Sequence, residues 1–180
     1  MENNLNPCQH LTADAIGKPG QRVFYLQGWT NTQTITLIIE KVQLQTLAIG
    51  IFSFLDELQT RHPELEIPGG KYSESTMRII PPVDPLFRVG EIGLAYDREN
   101  EQACLIAREI VMEANALAEE TDQEVETNVI RFWCSREQLK SLANWSLELV
   151  QRGRPICPLC NEPIEPSGHF CPKKNGHEKH

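Results

Sequence analysis

The sequence predicts an α+β protein with a small zinc-binding module at its C-terminal end. Three observations support this prediction. Segments rich in β-branched and aromatic residues alternate with two stretches of helical periodicity. The same order of elements occurs twice, and three of the six cysteines lie close together near the end of the sequence. We therefore expect an α+β body at residues 1–151 and a zinc-binding tail at residues 152–180.

The first half of the body, residues 8–60, is predicted to form three strands and a helix. The predicted strands are 11–16, 21–29 and 34–39. Glycine, proline and asparagine between them supply the residues that turns require. From Val42 to Leu58, apolar residues recur at steps of three and four, which predicts an amphipathic helix that ends before Pro63.

The second half, residues 87–151, repeats this order after a predicted linker at residues 61–86. The linker holds five of the twelve prolines and a Gly-Gly pair. The predicted strands of the second half are 88–96, 102–112 and 128–134. A helix follows up to about Arg152, and its start is predicted by the capping-box pair Ser135 and Gln138.

An internal duplication is one explanation for the repeated order. A shift of 95 residues aligns residues 36–48 with 131–143, with four identities. The other explanation is that any amphipathic helix following a strand aligns this well. Both predict two β-β-β-α units whose two helices cover one face of an antiparallel sheet.

Composition and charge limit the class of protein. The sequence is 40% hydrophobic and 23% charged, as expected of a soluble globular protein, and no window approaches the roughly 18 apolar residues of a membrane span. Residues 1–10 lack the pattern of a signal peptide, so we expect a cytoplasmic protein. The net charge is −8, of which residues 152–180 carry +2, so the body carries −10, and this acidic body disfavours nucleic acid as a partner. The sequence sets no oligomeric state.

The tail carries the pattern of a metal site. Cys157 and Cys160 frame a C-x-x-C knuckle, whose turn directs both thiolates at one ion and points backbone N–H groups at the sulfurs. His169 and Cys171 follow at positions i and i+2, which face the same side of an extended chain. Three cysteines and one histidine form the donor set of a tetrahedral zinc site.

Four protein ligands leave no open position on the ion, which indicates a structural rather than a catalytic zinc. The many prolines and glycines of the tail leave little core, so metal binding must stabilise it. The spacing leaves open whether His177 or His180 replaces His169 as the fourth ligand. If His169 were not a ligand, the zinc ion could be held by three thiolates and a water. Such an open coordination position would allow the protein to be an enzyme.

Other reactive residues are interpreted as structural. We expect Cys8, Cys104 and Cys134 to be core residues, since they lack metal-ligand spacing. The acidic stretch 119–126 lacks the pattern of a calcium loop and is predicted to be a solvated loop. The stretch 17–22 could present its backbone amides, together with Lys18 and Arg22, to a phosphate, but a hairpin turn is the favoured interpretation. With no catalytic motif visible, the sequence leans away from an enzyme.

Four stretches together resemble an uncharacterised bacterial family, known mainly from actinobacteria and chloroflexi and carried as a domain of unknown function, number three thousand and ninety in that series. They are 17–27 (GKPGQRVFYLQ), 40–43 (EKVQ), 87–97 (FRVGEIGLAYD) and 153–177 (GRPICPLCNEPIEPSGHFCPKKNGH). Asn161 and Lys173 replace the glycine and arginine usual in the family, and neither change removes a ligand. Family members tend to be encoded near phosphatase-like and kinase-like proteins, which implies a link to phosphoryl metabolism.

Two hypotheses of function follow. The first is a non-enzymatic binding or adaptor protein, whose body recognises a protein partner or small ligand and whose zinc site rigidifies the tail. The second is an enzyme or phosphometabolite-binding regulator, with Lys18, Arg22, Arg88 and Arg131 as anion contacts. Convergence of these cations on one pocket would favour the second hypothesis. A nucleic-acid role of the basic tail ranks third.

Overall fold

The structure is a computed structural model, and it describes residues 2–111, 127–153, 157–161, 164 and 169–173. The strands are β1 (Glu2–Leu5), β2 (His10–Ile16), β3 (Val23–Trp29), β4 (Thr34–Ile39), β5 (Pro85–Asp97), β6 (Gln102–Glu109) and β7 (Val129–Cys134). The helices are α1 (Lys41–Arg61) and α2 (Arg136–Gln151), with a 3-10 helix at Glu74–Met77. The α+β class is therefore confirmed. The predicted end of the β6 strand at Met112 and the acidic stretch 119–126 lie outside the described residues.

The seven strands form one mixed sheet in the order β1-β7-β6-β5-β4-β3-β2. The pairs within each predicted unit are antiparallel, as expected. However, β4 pairs with β5 in parallel, and β1 pairs with β7 in parallel. The expectation of a wholly antiparallel sheet was therefore wrong at these two pairs. Parallel neighbours need a long crossover between them, and α1 lies in the crossover from β4 to β5.

The sheet curls until its two edges meet. Its edge strands, β1 and β2, are consecutive in the chain and are separated only by residues 6–9. Within this short connection, the Cys8 N–H donates to the Trp133 carbonyl of β7 at 2.6 Å, and the Gln9 N–H donates to the Trp29 carbonyl of β3 at 2.9 Å. Residues 8 and 9 thus bond to β7 and β3, the neighbours of the two edge strands, and hold the two edges of the sheet close together.

Gly28 permits this closure, because β3 and β7 approach each other closely inside the curled sheet. A Cβ at Gly28 would lie 2.5 Å from the Phe132 ring and 3.1 Å from the Cys8 sulfur. Phe132 is fully buried, so its ring has no free space into which it could move. Glycine is therefore required at this position by the contact between the two strands.

The two helices pack against each other, α1 also against β5 and α2 against β2. The buried residues of α1 are Leu44, Leu47, Ala48, Ile51, Leu55 and Leu58. Trp145 of α2 is fully buried and donates from Nε1 to the Ala13 carbonyl of β2 at 2.6 Å. In the described part of the chain, neither helix has the apolar length that crossing a bilayer demands.

Residues 62–84, which we call the strap, connect the two halves and bond to both β2–β3 and α2. The Gln27 side chain donates to the Ile80 carbonyl at 3.0 Å and accepts from the Ile80 N–H at 2.8 Å. On the other side, the Glu137 carboxylate accepts from the N–H groups of Gly69 and Gly70 at 2.6 and 2.8 Å. The Thr12 hydroxyl of β2 also donates to the Met77 carbonyl at 2.6 Å, so the strap lies beside β2 and β3 and joins them to α2.

The two helices begin in the same way. Gln138 and Ser135 form the predicted capping box, with Gln138 N donating to Ser135 Oγ at 3.0 Å and Ser135 N donating to Gln138 Oε1 at 2.8 Å. At α1, the Glu40 N–H likewise donates to Gln43 Oε1 at 2.9 Å. This likeness is compatible with the predicted duplication, which stays a prediction.

Candidate metal centre

The first half of the candidate metal centre is a knuckle at residues 157–161. The N–H groups of Leu159 and Cys160 are hydrogen bonded to the Cys157 sulfur, and the Asn161 N–H donates to the Cys157 carbonyl at 2.8 Å. Asn161 closes the turn with a φ of +59°. After glycine, asparagine tolerates this left-handed conformation best, which explains how it can stand where the family usually has glycine.

The second half brings His169 and Cys171 to the knuckle. The ligand atoms of Cys157, Cys160, His169 and Cys171 all lie within 4.8 Å of one another. Cys157 and Cys171 are buried, whereas Cys160 and His169 are half-buried. His177 and His180, the alternatives for the fourth ligand, lie outside the described residues. The structure thus brings together the four residues that the spacing singled out.

Two of the distances among these atoms match the edges of a tetrahedral metal site of the zinc type. The sulfurs of Cys157 and Cys171 are 3.8 Å apart, and the Cys160 sulfur is 3.6 Å from His169 Nε2. A tetrahedron with ordinary zinc–sulfur and zinc–nitrogen bonds has edges of about 3.8 Å between sulfurs and about 3.6 Å between sulfur and nitrogen. A disulfide needs sulfurs about 2.05 Å apart, so the pair of cysteines is not oxidised.

The electrostatics of the knuckle favour a thiolate, the form of cysteine that binds metals. Hydrogen bonds from the Cys160 and Leu159 N–H groups, opposed by burial, lower the pKa of Cys157 from its usual value near 9 to about 6. These N–H groups are already in place because the knuckle turn points them at the sulfur. The Cys157 donor is therefore poised to bind an ion near neutral pH.

Two large apolar side chains stand exposed beside the cluster. Leu159 lies in the knuckle between two ligands and is 48% exposed. Phe170 lies between His169 and Cys171 and is 74% exposed. Phe170 has a ligand on each side, and Leu159 is directly followed by the ligand Cys160, so the cluster fixes the backbone at both positions while their side chains remain exposed.

The other candidate ligand-binding residues lie in the body. Arg22 and Arg88 line one cavity of about 730 Å³, bounded by the end of the β2–β3 hairpin, the start of α1 and the end of α2. Lys18 is exposed in the turn before β3, and Arg131 is half-buried on β7. Neither lines this cavity. The structure therefore brings two of the four predicted cations together.

Sequence reasoning missed Lys41, the first residue of α1, which lines the same cavity. The predicted helix begins only at Val42, and Lys41 enters the sequence analysis only within the stretch 40–43 that resembles the family. One signal could have found it, because the shift of 95 residues aligns Lys41 with Arg136, so that a cation opens both helices. The Arg136 guanidinium differs from Lys41 in that it donates a hydrogen bond to the Glu66 carbonyl of the strap at 2.6 Å.

The three remaining cysteines are core residues, as predicted. Cys8, Cys104 and Cys134 are at most 3% exposed. Burial raises the pKa of Cys8 and of Cys104 to about 11, and it raises that of Cys134 further. All three are therefore protonated thiols at neutral pH, unlike Cys157.

These features define an α+β protein with a closed mixed sheet and a cluster of three cysteines and one histidine at metal-binding distance. A sequence profile of the family described as protein of unknown function, DUF3090, matches residues 3–171. The chain belongs to this family, as the resemblance implied. No curated protein and no solved structure matches the chain.

Proposed function

We propose that the protein is a non-enzymatic, cytoplasmic binding or adaptor protein whose terminal module is folded around a structural zinc ion. The observation that carries the proposal is the cluster itself, in which four protein donors lie within 4.8 Å of one another. Thiolates favour zinc over magnesium or calcium, and four protein donors fill a tetrahedral shell. The reducing environment of the cytoplasm suits a site of free thiols.

The metal would act by folding the module rather than by reacting. The cluster ties the knuckle at residues 157–161 to His169 and Cys171, with only a short chain between them. Zinc binding supplies on the order of 10 kcal/mol to segments of this kind, which replaces a hydrophobic core. The ion would thereby hold Leu159 and Phe170 in fixed positions at the surface.

The adaptor role is supported by the exposure of those two side chains. Leu159 and Phe170 flank the cluster from its two halves, and each is a large apolar group left in water. Aromatic and aliphatic side chains on a rigid support are common anchors of protein interfaces. We therefore infer that this module is the surface that docks a protein partner.

Cobalt substitution tests the metal proposal. The purified protein should bind one zinc ion, and the cobalt form should show intense tetrahedral absorption bands and a sulfur-to-cobalt charge-transfer band. The variant His169→Ala should lose the wild-type band pattern, whereas His62→Ala, at the end of α1, should keep it. Unchanged bands in His169→Ala would refute the ligand set.

Affinity purification tests the adaptor proposal. Phe170→Ser should lose a partner protein that the tagged wild type recovers from its own cells. Ile67→Ser is the matched control, because Ile67 of the strap is also 74% exposed. Recovery of the same proteins by Phe170→Ser and wild type, or equal loss in the control, would contradict docking through the module.

The alternative hypothesis is an enzyme or a phosphometabolite-binding regulator. One observation favours ligand binding by the body: Arg22 and Arg88, predicted as anion contacts, line the same cavity. The contribution of Lys18 and Arg131 to ligand binding stays a prediction.

A further inference from the structure

The cavity at the start of α1 has a local charge opposite to that of the protein. The charged residues that line it are Arg22, Lys41, Arg88 and Glu40, which together carry a net charge of +2. The whole chain carries −8. A small basic cavity adds nothing to the solubility of an acidic protein. The cations are therefore better explained by a function within the cavity itself.

Two of the cations have no carboxylate partner among the residues that the structure describes. The Arg88 guanidinium is paired with the Glu40 carboxylate. Among the residues described by the structure, no carboxylate forms an ion pair with Arg22 or Lys41. Arg22 instead lies over the Phe24 ring, 5.2 Å from its centre, which fixes the guanidinium at the cavity wall.

Arg22 and Lys41 converge on one small volume beside Gly153. A Cβ placed on Gly153 would lie 3.2 Å from Lys41 Nζ and 3.7 Å from Arg22 Nη2. Two like charges held this close repel each other, and an anion between them removes the repulsion. The carbonyl end of α2 borders the cavity at Val150 and Gln151, but its partial charge of about −0.5 offsets only part of the two cations.

The start of α1 borders the same cavity through Glu40 and Lys41. The first hydrogen bond within the helix runs from Leu44 N to the Glu40 carbonyl, so the earlier N–H groups have no carbonyl partner within the helix. The Glu40 side chain caps this end by accepting from the Gln43 N–H. The partial positive charge of the helix start is therefore shared with the Glu40 carboxylate, and the side-chain cations remain the main anion contacts of the cavity.

The size of the cavity indicates more than a bare ion. At about 730 Å³ it falls in the range of about 300 to 1,000 Å³ that holds small organic ligands. Apolar groups of Val23, Phe24 and Ile39 line it beside the cations. The cavity can therefore hold an anionic group together with an organic group attached to it.

We infer that this cavity binds the phosphate group of a small phosphorylated molecule, with Lys41 and Arg22 as its principal contacts and Arg88 in support. A phosphate monoester carries close to two negative charges at neutral pH, which matches the charges of Arg22 and Lys41, the two cations that pair with no carboxylate in the described part of the chain. The inference rests on the alternative hypothesis of a ligand-binding body and names the residues that would contact the phosphate. Free phosphate and a phosphate ester share this chemistry.

The test titrates inorganic phosphate and phenyl phosphate into the purified zinc-loaded protein and follows amide signals by NMR. Signals of Gly20 and Gly153, at the cavity, should shift, and that of Gly93 should not. The double variant R22Q/K41Q should bind both probes at least about tenfold more weakly, and K41Q alone should change binding in the same direction. The charge-matched control K71Q/R98Q, at exposed sites outside the cavity, should bind as wild type does.

The outcomes distinguish a phosphate ester from free phosphate as the ligand. They also distinguish failure of the phosphate inference from failure of the metal proposal. Tighter binding of phenyl phosphate supports an ester as ligand, and equal binding supports free phosphate at the same site. Absence of binding by the wild type, or equal loss in both double variants, overturns the inference. Thermal unfolding of each variant checks its fold, and zinc content reports on the metal proposal independently, so failure of one proposal is distinguished from failure of the other.

Discussion

Gln43 and Gln138 join the two helices to the sheet through the same set of contacts. Each side-chain oxygen accepts from the N–H of the residue before its helix, and each side-chain nitrogen donates to two carbonyls of a neighbouring segment. Gln43 Nε2 contacts the carbonyls of Val89 and Gly90, both at 3.1 Å. Gln138 Nε2 contacts those of Cys8 and Gln9 at 3.1 and 2.8 Å. In each helix, one glutamine amide therefore fixes the first turn and links it to the neighbouring segment of chain.

Replacement of Gln138 by alanine should lower the free energy of unfolding by about 1 to 3 kcal/mol. The change removes a cap and leaves carbonyls at the closure of the sheet without their donor. Gln43→Ala should have a similar effect. The exposed Gln45 of α1 is the matched control, and Gln45→Ala should change stability by less than about 0.5 kcal/mol. Urea unfolding followed by circular dichroism measures all three, and a neutral Gln138→Ala would contradict the role of the amide.

Replacement of Trp145 by phenylalanine should destabilise the fold by about 2 to 4 kcal/mol. The smaller ring leaves a void in a fully buried site, and the Ala13 carbonyl loses the Nε1 donor at 2.6 Å. Trp133→Phe is the control, because Trp133 is only half-buried on β7. Chemical unfolding of the two variants checks this prediction, which fails if they lose the same stability.

The six cysteines should divide into two groups of three in a thiol-reactivity assay. With zinc bound, all should react slowly with a disulfide reagent. After removal of the metal by a chelator, Cys157, Cys160 and Cys171 should react rapidly, since the knuckle lowers the pKa of Cys157 and the group lies near the surface. Cys8, Cys104 and Cys134 should react only on unfolding, because they are buried and protonated. Rapid reaction of more than three thiols in the folded, metal-free protein would be inconsistent with this division.

Asn161 should tolerate glycine but not valine. Its φ of +59° lies in the left-handed region, where glycine is unstrained and a β-branched residue pays about 1 to 2 kcal/mol. Asn161→Gly should therefore keep or raise zinc affinity, and Asn161→Val should lower it by about tenfold. Competition with a chromophoric chelator measures both affinities. Equal affinities in the two variants would show that the turn conformation has no influence on the site.

Glu74 should stabilise the protein at neutral pH and lose its effect in acid. Its carboxylate accepts from Arg152 Nη1 and Nη2, both at 2.8 Å, and also pairs with Arg78. The hydrogen bonds from Arg152 and then Arg78 lower its pKa from 4.5 to about 2. Because the folded-state pKa is lowered, the stabilisation is complete above the usual pKa and disappears as the pH falls from 4.5 to about 2.

Thermal unfolding of wild type and Glu74→Gln across this range measures the effect. The wild type should unfold at a higher temperature at pH 7, and the two curves should converge towards pH 2. Glu57→Gln, in an exposed pair with Arg61 on α1, is the charge-matched control and should differ little from wild type. A difference for Glu74→Gln that persists at low pH would rule out the carboxylate as its cause.

The parts of the fold that depend on neighbouring residues could be predicted from the sequence. The helix starts follow from short patterns such as Ser135 and Gln138, and the metal ligands fall within 15 residues of each other. The strand β1 could not be predicted in this way. Its residues, Glu-Asn-Asn-Leu, have low strand propensity apart from Leu5, and their pairing with β7 depends on closure of the sheet.

The residues of the candidate ligand-binding cavity could also be predicted from the sequence only in part. Arg22 and Arg88 were singled out by charge near predicted strands, but nothing local to Lys41 shows that it meets Arg22 beside Gly153. That meeting depends on how the end of α2 packs beside the start of α1. The parallel pairs β4–β5 and β1–β7 were missed for a related reason, because strand direction across a long crossover is set by the whole sheet.

The bonds made by Cys8 and Gln9 also set an order of events during synthesis. During synthesis, β1 leaves the ribosome long before residues 129–132, with which it pairs. Until then, β1 has no partner strand, and the Cys8 N–H lacks its acceptor on Trp133. The strand β1 is therefore among the last segments of the body to be ordered, and the two edges of the sheet come together only when most of the body has been made.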